Sequence, residues 1–500
     1  MGIYRNKVIL FNPWPKKPTD KNKQGVHIYP PLSLLAIAAP LNTANYKVKI
    51  IDAVMDPDYK ETLLNLLDQE AVCLGITSMT GYPILNGLEM AKLVRAKMPD
   101  LPIIWGGYHP SILPEQTVEN EFVDIVVRGQ GEATFLELVE LLNKNKPIDN
   151  VLGITYKKNG RVVNNPDRRV EDINCFPPLP LHLVNVEKYI TSSVGKRTIG
   201  YRTSQGCPYK CGFCVEPKVT QRRWSGYSAK RVLDDIERFV REYNIDAVEL
   251  HDSNFFVDKN RVKEIFQGIR KRGLNIEFGA LGGRADELLR YDDDTWQAIS
   301  SGGCRDIIIG AESGRNELLE LINKQWRSED TIKIKQKLSH YRIRASFSFI
   351  IGLPHDQGDK ITCRDELFSV LDLINRINSV DNLNKASIMI FHPYPQTDLF
   401  DLAIKNRLIK KIPAALMEWG SFDIKNRLVS KKYRNIAEQL NYYIFPYLFN
   451  LFKTPKKGFR LFAHRLFRKA AGARFRHKFF LLPLDYYLLT LWRKLKIDAR

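Results

Sequence analysis

The sequence predicts an α/β protein with three parts: an N-terminal doubly wound parallel sheet, then a partial (β/α)6 barrel, then a basic helical C-terminal region. Apolar runs and amphipathic segments alternate along residues 1–145 and again along residues 196–400. An irregular stretch at residues 146–195 separates the two alternations. Residues 401–500 hold 23 Lys and Arg against 6 Asp and Glu, whereas the first 400 residues hold 53 against 50. The basic region is therefore distinct from a near-neutral body.

The composition excludes several classes of protein. Hydrophobic residues make up 44% of the 500 residues and charged residues 26%, which excludes a disordered or collagen-like chain. The seven cysteines are an odd number, which argues against a disulfide framework. No apolar run reaches the ~18 residues of a spanning helix, and the first run is too short for a signal peptide. We therefore expect a cytoplasmic protein.

The first domain, residues 1–145, is predicted to contain about five parallel strands with helices between them. The predicted strands are Lys7–Asn12, Lys47–Asp52, Ala71–Thr77, Pro102–Trp105 and Val123–Val127. The predicted helices are Pro31–Leu41, Glu61–Leu67, Gly87–Met98 and Ala133–Leu142. The strand Ala71–Thr77 is continuously apolar, as expected when both faces of a strand are covered.

Three turns of this domain follow the carboxyl ends of strands, where doubly wound sheets bind their ligands. The candidate binding residues in these turns are Ser78, Gly106, Gly107, His109, Gly129, Gly131 and Glu132. Glycine allows a flat ligand to approach the backbone closely. The residues alone are equally compatible with ordinary tight turns.

Residues 146–195 are predicted to be a linker. Asn159-Gly160 lies between the short runs Ile154–Tyr156 and Arg161–Val163, which indicates a hairpin. The cluster of Pro177, Pro178 and Pro180 indicates irregular chain before the next domain.

The second domain, residues 196–400, contains six predicted strands with helices between them. The strands are Thr198–Arg202, Ala247–His251, Asn275–Ala280, Asp306–Gly310, Ala345–Ile351 and Ala386–Phe391. The helices are Ala229–Tyr243, Lys259–Arg272, Asp292–Ser301, Thr331–Tyr341 and Glu366–Asn375. Catalytic groups of such barrels lie at the carboxyl ends of the strands. The candidates there are the Cys207–Cys214 loop, His251, Asp252, Arg284, Glu312, Ser313, Pro354, His355 and His392.

Cys207, Cys211 and Cys214 form the strongest motif, with the spacing C-x3-C-x2-C. Three thiolates on one loop are suited to hold three irons of a 4Fe–4S cube. No fourth cysteine lies nearby, so the fourth iron would be open to a substrate or cofactor. The alternatives are a zinc knuckle, which would need a fourth Cys or His close by, and coincidence.

These cysteines, with the aromatic Phe213 before the last of them, resemble the signature of radical S-adenosylmethionine (SAM) enzymes. The resemblance implies that the open iron binds the amino and carboxylate groups of SAM. It implies that one electron, from a donor such as flavodoxin or ferredoxin, cleaves SAM to methionine and a 5′-deoxyadenosyl radical. That radical then abstracts a hydrogen atom.

Other segments resemble the SAM-contacting parts of the same family. The residues that the resemblance places near SAM are Phe213, His251, Asp252, Glu312, Ser313 and Gly352. A purely structural role at a strand end is the alternative for each of the segments after the cysteine loop. The chain departs from the family pattern at His355-Asp356, where Gly-Glu is common, and at Gln396, where Gly is usual.

The first domain resembles the cobalamin-binding domain of the cobalamin-dependent radical SAM class. The resemblance rests on Pro30-Pro31-Leu32, on Gly106 to Pro110 and on Gly129 to Glu132. No Asp-x-His-x-x-Gly segment is present, so the resemblance implies cobalamin without a histidine as lower ligand. The alternatives are a domain that has lost its cofactor, or a thiomethylating RNA enzyme. The latter class carries a second cysteine triad in its first domain, where this chain has only Cys73.

The resemblance implies methylation of an unactivated carbon or phosphorus centre in a small molecule. A cobalamin-dependent radical cyclase or oxidative ring-forming enzyme without methyl transfer is the alternative. A non-catalytic lipid- or RNA-binding protein is a third hypothesis, and the cysteine triad argues against it.

The basic C-terminal region combines positive charge with apolar residues. Phe459, Phe462 and Leu466 fall at helical spacing among basic residues such as Arg465 and Lys469. Such a pattern favours a helix at the surface of an anionic membrane, and so a lipid-like substrate. The alternatives are a helical cap on the barrel and, less favoured, nucleic-acid binding.

Overall fold

A computed structural model describes residues 5–13, 28–355, 361–422, 428–452, 454–455 and 457–497. Side chains are described up to residue 491. Asp356, one of the two residues that depart from the family pattern after Pro354, lies outside the described residues.

The N-terminal sheet has seven strands in the order β2-β1-β3-β4-β5-β6-β7. Their bounds are β1 Lys7–Asn12, β2 Lys47–Asp52, β3 Ala71–Thr77, β4 Ile103–Gly106, β5 Ile125–Val127, β6 Ile154–Lys158 and β7 Arg161–Asn164. The first five strands pair in parallel, which confirms the predicted doubly wound sheet. The side chains of β1 and β3 are buried on both faces of the sheet, because helices cover both faces.

The predicted hairpin forms, and it extends this sheet. β6 pairs antiparallel with β5, and β7 pairs antiparallel with β6. The sheet of the first domain therefore continues to Asn164, beyond the boundary at residue 145 that the sequence predicts. The predicted boundary lies where the alternation of strands and helices ends. The edge of β5 that is not paired with β4 has free backbone hydrogen-bonding groups, and β6 pairs with them.

The second domain contains two parallel sheets, β8-β11-β12 and β13-β14-β15-β16. Their strands are β8 Thr198–Tyr201, β11 Ala247–Leu250, β12 Glu277–Gly279, β13 Leu281–Gly283, β14 Asp306–Glu312, β15 Arg344–Ile351 and β16 Asn384–Ile390. The third predicted strand, Asn275–Ala280, contains β12, and β13 follows it as a separate strand because Ala280 has a φ of 58° between the two. A small antiparallel pair, β9 Ser204–Gly206 and β10 Trp224–Gly226, flanks the cysteine loop. The strand order is that of six successive β/α units, and their closure into a partial barrel stays a prediction.

The helices connect and cover these strands. Those of the first domain are Leu32–Thr43, Tyr59–Asn65, Tyr82–Lys97, Tyr108–Ile112, Pro114–Val118 and Glu132–Asn143. Those of the second domain are Glu216–Val219, Ala229–Tyr243, Lys259–Lys271, Ala285–Leu288, Asp293–Ser301, Asn316–Leu321, Ser328–His340, Cys363–Val380 and Asp398–Lys405. Side chains of Ser228, Asp258 and Asp292 cap three of them at their N-termini.

The C-terminal region is helical. Its helices are Leu416–Trp419, Lys431–Gln439, Phe445–Leu448, Phe459–Arg476 and Leu484–Ile497, with a π turn at Leu440–Ile444. The Asn441 side chain donates to the Ile388 carbonyl at 2.7 Å and accepts from the Ile388 N–H at 2.8 Å. These bonds attach the region to the edge strand β16. Within the described residues, no helix is long and apolar enough to cross a membrane.

Candidate active-site cleft

A cleft lies between the carboxyl ends of the first-domain strands and the start of the second domain. Its empty space is about 1170 Å³, which includes solvent at the open mouth. Its first-domain lining includes the predicted residues Gly106, Gly107, Gly129, Gly131 and Glu132. Its second-domain lining includes Arg202, Ser204, Gln205, Gly206, Glu216 and the predicted His251. Of the residues predicted from the sequence, five of the first domain and His251 of the second domain thus line one cleft.

The glycines leave the first-domain wall open to a large flat ligand. A Cβ atom on Gly106 would meet only the Val127 carbonyl oxygen within 4 Å, at 3.6 Å. Gly107 has a φ of 95°, and a Cβ atom there would lie 2.8 Å from the Ser78 carbonyl oxygen. Gly107 is therefore required by the turn itself, whereas Gly106 keeps the cleft wall flat. This wall fits a planar macrocycle.

His109 and Ser78 lie behind the wall and do not line the cleft. The His109 side chain is fully buried, with Nδ1 3.0 Å from the Thr80 Oγ1 and the ring 5.7 Å from that of Trp419. Burial lowers the pKa of His109 to about 3, so the ring is neutral. The Ser78 hydroxyl donates to the Met79 carbonyl at 3.1 Å. In this structure both residues support the turn and do not reach the cleft.

Polar side-chain contacts join the domains at the cleft. The Gln205 Nε2 donates to the Glu132 Oε1 at 2.5 Å. The Tyr108 hydroxyl donates to the Glu216 carboxylate. Burial raises the pKa of Tyr108, and the nearby Glu216 carboxylate raises it further, so Tyr108 stays protonated as the donor. These contacts fix the first-domain turns against the segments on either side of the cysteine loop.

The cysteine loop is held by backbone bonds to two other parts of the second domain. The Gly212 N–H donates to the Ile322 carbonyl at 3.0 Å, and the Leu399 N–H donates to the Gly212 carbonyl at 3.0 Å. Phe213, between Cys211 and Cys214, lies 5.9 Å below the Lys324 Nζ. The loop is therefore anchored at its middle, with all three cysteines of intermediate exposure.

Each of the three cysteine sulfurs has a hydrogen-bond donor. The backbone N–H of Tyr209 reaches Cys207, and that of Glu216 reaches Cys214. The Arg284 Nη1 lies 3.6 Å from the Cys211 Sγ. Such donors stabilise sulfurs that carry negative charge. Burial raises the pKa of Cys207 to about 11 and of Cys214 to about 12, so binding of iron must displace their protons.

Among the described residues, no group of three His, Cys, Asp or Glu side chains is arranged to hold one metal ion. The ligands of an iron–sulfur cube bind different irons, so a cluster does not require three thiolates around one ion.

Arg284 was predicted only as a strand-end candidate, and it holds the cysteine loop from the side. Its guanidinium lies 3.6 Å from the centre of the Tyr209 ring. It forms a two-pronged ion pair with Asp286, at 3.0 and 3.2 Å. Its side chain is 7% exposed. The guanidinium is thus fixed on three sides and brings a buried positive charge to the Cys211 sulfur.

The two predicted residues after β11 have different surroundings. His251 lines the cleft, and its ring contacts the Tyr29 ring at a tilt of 32°, with 4.2 Å between the centroids. The buried Asp252 accepts from the Thr203 N–H at 2.6 Å, the Thr203 Oγ1 at 2.6 Å and the Ser204 Oγ at 2.8 Å. Its carboxylate therefore orders the chain before the cysteine loop. His251 is the member of this pair that faces the cleft.

Glu312, Ser313 and Gly352 lie at strand ends outside the cleft lining. Glu312 has a φ of 61°, and its Oε1 lies 3.1 Å from the Lys324 Nζ, with both side chains buried. The Ser313 Oγ accepts from the Arg315 N–H at 3.1 Å. Gly352 has a φ of 82°, and its N–H donates to the Glu366 Oε2 at 2.6 Å. Lys324 links Glu312 to Phe213 and so connects this strand end to the cysteine loop.

Sequence reasoning missed several residues of the cleft. Tyr108, Arg202, Gln205, Glu216 and Arg223 line it. Tyr108 lies inside the Gly106–Pro110 motif and Glu216 lies two residues after Cys214, so proximity to the motifs was the available signal. The contact between Tyr108 and Glu216 could not be predicted from local sequence, because the two residues are 108 positions apart.

Family comparisons agree with this two-part organisation. The family described as "B12 binding domain" matches residues 25–139. The Radical SAM superfamily matches residues 201–362.

Curated relatives match most of the chain. An uncharacterized methyltransferase of Pyrococcus horikoshii, PH0819, is 29% identical over 76% of this chain and 80% of that protein. The anaerobic magnesium-protoporphyrin IX monomethyl ester cyclase of Rubrivivax gelatinosus is 26% identical over 74% of this chain and 66% of that protein.

Two solved structures share the fold. The cobalamin-dependent SAM radical enzyme OxsB, with aqua-cobalamin and SAM bound, has a TM-score of 0.71 at 22% identity, covering 99% of this chain and 75% of that one. The radical SAM methyltransferase TsrM of Kitasatospora setae, with cobalamin and a [4Fe-4S] cluster bound, has a TM-score of 0.64 at 16% identity, covering 95% and 100%.

Proposed function

Because the chain belongs to the cobalamin-dependent radical SAM family, we propose that it is a methyltransferase that uses a 4Fe–4S cluster, SAM and cobalamin. Its target is an unactivated carbon or phosphorus centre of a small molecule. The observation that carries the proposal is the shared cleft, where the glycine-lined wall of the first domain faces the segment that holds the cysteine loop.

The residues present fit the cluster and cobalamin. Cys207, Cys211 and Cys214, each with a hydrogen-bond donor at its sulfur, would hold the cluster. The wall around Gly106, Gly129 and Gly131 would hold the corrin ring. When bound, these groups supply hydrogen-atom abstraction and methyl transfer, which amino-acid side chains do not supply.

The chain's own residues position the reactants and keep water out. The contact of Gln205 with Glu132 and that of Tyr108 with Glu216 fix the distance between the two walls of the cleft. Arg202 and Arg223 add positive charge to the lining, and His251 adds a ring nitrogen. These groups are placed to orient a polar or anionic part of the substrate. Apolar residues of the lining, such as the partly exposed Ile37, would hold an apolar part.

A second candidate is a radical ring-forming or oxidative reaction without methyl transfer. The relationship to the Rubrivivax cyclase favours it, since that protein is similar over almost as much of this chain as PH0819. The two reactions differ in the fate of the SAM methyl group. Methyl transfer puts it into the product, whereas ring formation leaves it in methionine.

The test uses methyl-labelled SAM and an anaerobic small-molecule extract of a strain that lacks the gene. The reconstituted chain, a reductant and cobalamin are added, and labelled compounds are identified by mass spectrometry. We expect a compound that carries the labelled methyl group with the natural chain and not with Cys211→Ala. Formation of 5′-deoxyadenosine, with a new product and no label in it, would overturn methyl transfer and support the second candidate.

A further inference from the structure

The two C-terminal helices Phe459–Arg476 and Leu484–Ile497 expose an apolar surface that the cleft does not use. On the first helix, Phe459, Phe462 and Leu466 are 77%, 64% and 55% exposed. The connection and the second helix expose Leu481, Leu482, Leu484, Tyr487, Leu488 and Leu491 to a similar extent, between 56% and 75%. We call these nine residues the tail surface. A protein that stays in water rarely exposes so many large apolar side chains together.

The tail surface belongs to packed helices. The opposite side of the first helix buries Ala463, Ala471 and Phe475, and the second helix buries Leu489. The Asp485 carboxylate accepts from the Tyr443 hydroxyl and from the Arg474 Nε, both at 2.8 Å. Each helix therefore has one side fixed to the body and leaves its apolar side outward. The inner side of these helices packs as the cap predicted from the sequence, and their outer side is free to be a binding surface.

Basic residues border the apolar stripe. At 100° per residue, Phe459, Phe462 and Leu466 fall within about 60° of one another around the helix. Arg465 and Lys469 follow next to that arc, and both are exposed. Among the described residues, neither of them forms an ion pair with an acidic side chain. The helix holds six basic residues and no acidic one.

We propose that the tail surface binds the headgroup region of an anionic lipid bilayer, without crossing it. An exposed apolar stripe bordered by unneutralised basic residues is complementary to such a surface, because apolar side chains enter the acyl boundary while the cations meet lipid phosphates. No helix in the described part of the chain is able to span the bilayer, so the attachment is peripheral.

Other occupants fit the tail surface less well. Nucleic acid would need aromatic platforms for its bases, whereas six of the nine exposed residues are leucines. A second copy of the chain, related by a twofold axis, would bring the same basic borders together. An anionic bilayer would both bury the leucine side chains and neutralise the basic residues.

The test is co-sedimentation of the full reconstituted chain with vesicles of phosphatidylcholine alone and of phosphatidylcholine with ~30% phosphatidylglycerol. We expect binding to the anionic vesicles only, and release as salt is raised. Phe462→Ser with Leu466→Ser should reduce the partition coefficient at least tenfold. Arg465→Glu with Lys469→Glu should reduce it by at least about twentyfold, since each basic residue contributes about fivefold.

Matched controls carry equal changes elsewhere on the surface. Leu93→Ser with Met417→Ser replaces two exposed apolar residues, and Lys92→Glu with Lys271→Glu reverses two exposed charges. Both should bind vesicles like the natural chain. Circular dichroism establishes that every variant is folded.

Three results would overturn the proposal. The first is a natural chain that stays in the supernatant with anionic vesicles at low salt. The second is equal binding by the tail-surface variants and their controls. The third is that the tail surface binds a second copy of the chain or RNA. In that case vesicle binding would be lost when the chain dimerises at high concentration or when an RNA oligonucleotide is added, and the tail-surface variants would lose the dimer or the RNA complex.

Discussion

The three cysteines of the loop are the residues on which the chemistry depends. Replacing Cys207, Cys211 or Cys214 by Ala removes one cluster ligand, and we expect cleavage of SAM to fall below about 1% of the natural rate. Iron content and 5′-deoxyadenosine measure the effect. Cys175→Ala is the control, because this exposed cysteine lies outside the loop. A loop variant with full 5′-deoxyadenosine formation would contradict the assignment.

Arg284 is expected to raise the midpoint potential of the cluster. It brings a positive charge and a hydrogen bond to the Cys211 sulfur, and both stabilise the reduced cluster. Arg284→Gln should therefore lower the midpoint potential by tens of millivolts (~30 mV or more), measured by spectroscopic redox titration. Arg290→Gln, on an exposed side chain, should leave the potential unchanged. An unchanged potential in Arg284→Gln, at full iron content, would show that this contact does not act on the cluster.

His109 should make stability depend on pH. Its folded pKa is about 3 because of burial, whereas its unfolded pKa is ~6.5. The unfolded chain therefore binds a proton at acidic pH that the folded chain does not, and stability is lost as pH falls below about 6.5. Between pH 7.5 and pH 5.5 this costs about 1.4 kcal/mol.

Urea unfolding at the two pH values measures this loss. His109→Asn should be less stable at both, with the pH-dependent loss smaller than in the natural chain by about 1.4 kcal/mol. His340→Asn, which changes a histidine outside the first domain, is the control. Equal pH dependence in His109→Asn and the natural chain would contradict burial of a neutral imidazole.

At the scale of elements, the split of the third strand is the feature that the sequence did not reveal. The run Asn275–Ala280 reads as one strand, and Leu281–Gly283 contains two glycines that weaken a strand pattern. The structure instead ends β12 at Gly279, places Ala280 in the left-handed region and starts β13 at Leu281. An alanine gives no local sign of a left-handed φ. The break is therefore visible only in the structure, where β13 pairs with β14.

Ala280 should accept glycine. Glycine relieves the left-handed strain at this φ, and we expect Ala280→Gly to leave the free energy of unfolding unchanged or raise it by about 0.5 kcal/mol. Ala386→Gly, in the continuous strand β16, should lower it by about 1 kcal/mol. Thermal unfolding of the two variants measures the difference. If Ala280→Gly is destabilised as much as Ala386→Gly, the break in the strand is not at Ala280.

The sequence predicted the elements better than their ends. β1, β2 and β3 have the predicted bounds because the apolar residues of each strand stop at a polar residue or a turn. The hairpin β6–β7 was predicted from Asn159-Gly160, but its place in the first sheet was not, since strand pairing between distant segments leaves no local pattern.

At the scale of the whole molecule, the cleft depends on contacts between domains. Motifs around Gly106, Gly129 and the cysteines could be read from the sequence, because each is a local pattern with its own chemistry. Arg284 and Glu216 could not be placed beside those motifs, because their positions depend on folding of the second domain. His109 was a candidate for the cleft as a polar residue in a glycine turn, and the packing of Trp419 against it holds it behind the wall.

Binding of cobalamin in the cleft is the whole-molecule prediction, and Gly106 is its most sensitive position. A valine there projects its side chain into the open wall. The control is Gly472→Ala, in the helix Phe459–Arg476, where an added Cβ atom meets nothing within 4 Å. The measurement is cobalamin and iron bound per chain after anaerobic reconstitution. We predict about four irons in all three proteins, stoichiometric cobalamin in the natural chain and Gly472→Ala, and at least tenfold less in Gly106→Val. A natural chain that takes up the irons without cobalamin, or a Gly106→Val variant that keeps it, would contradict a cobalamin site in this cleft.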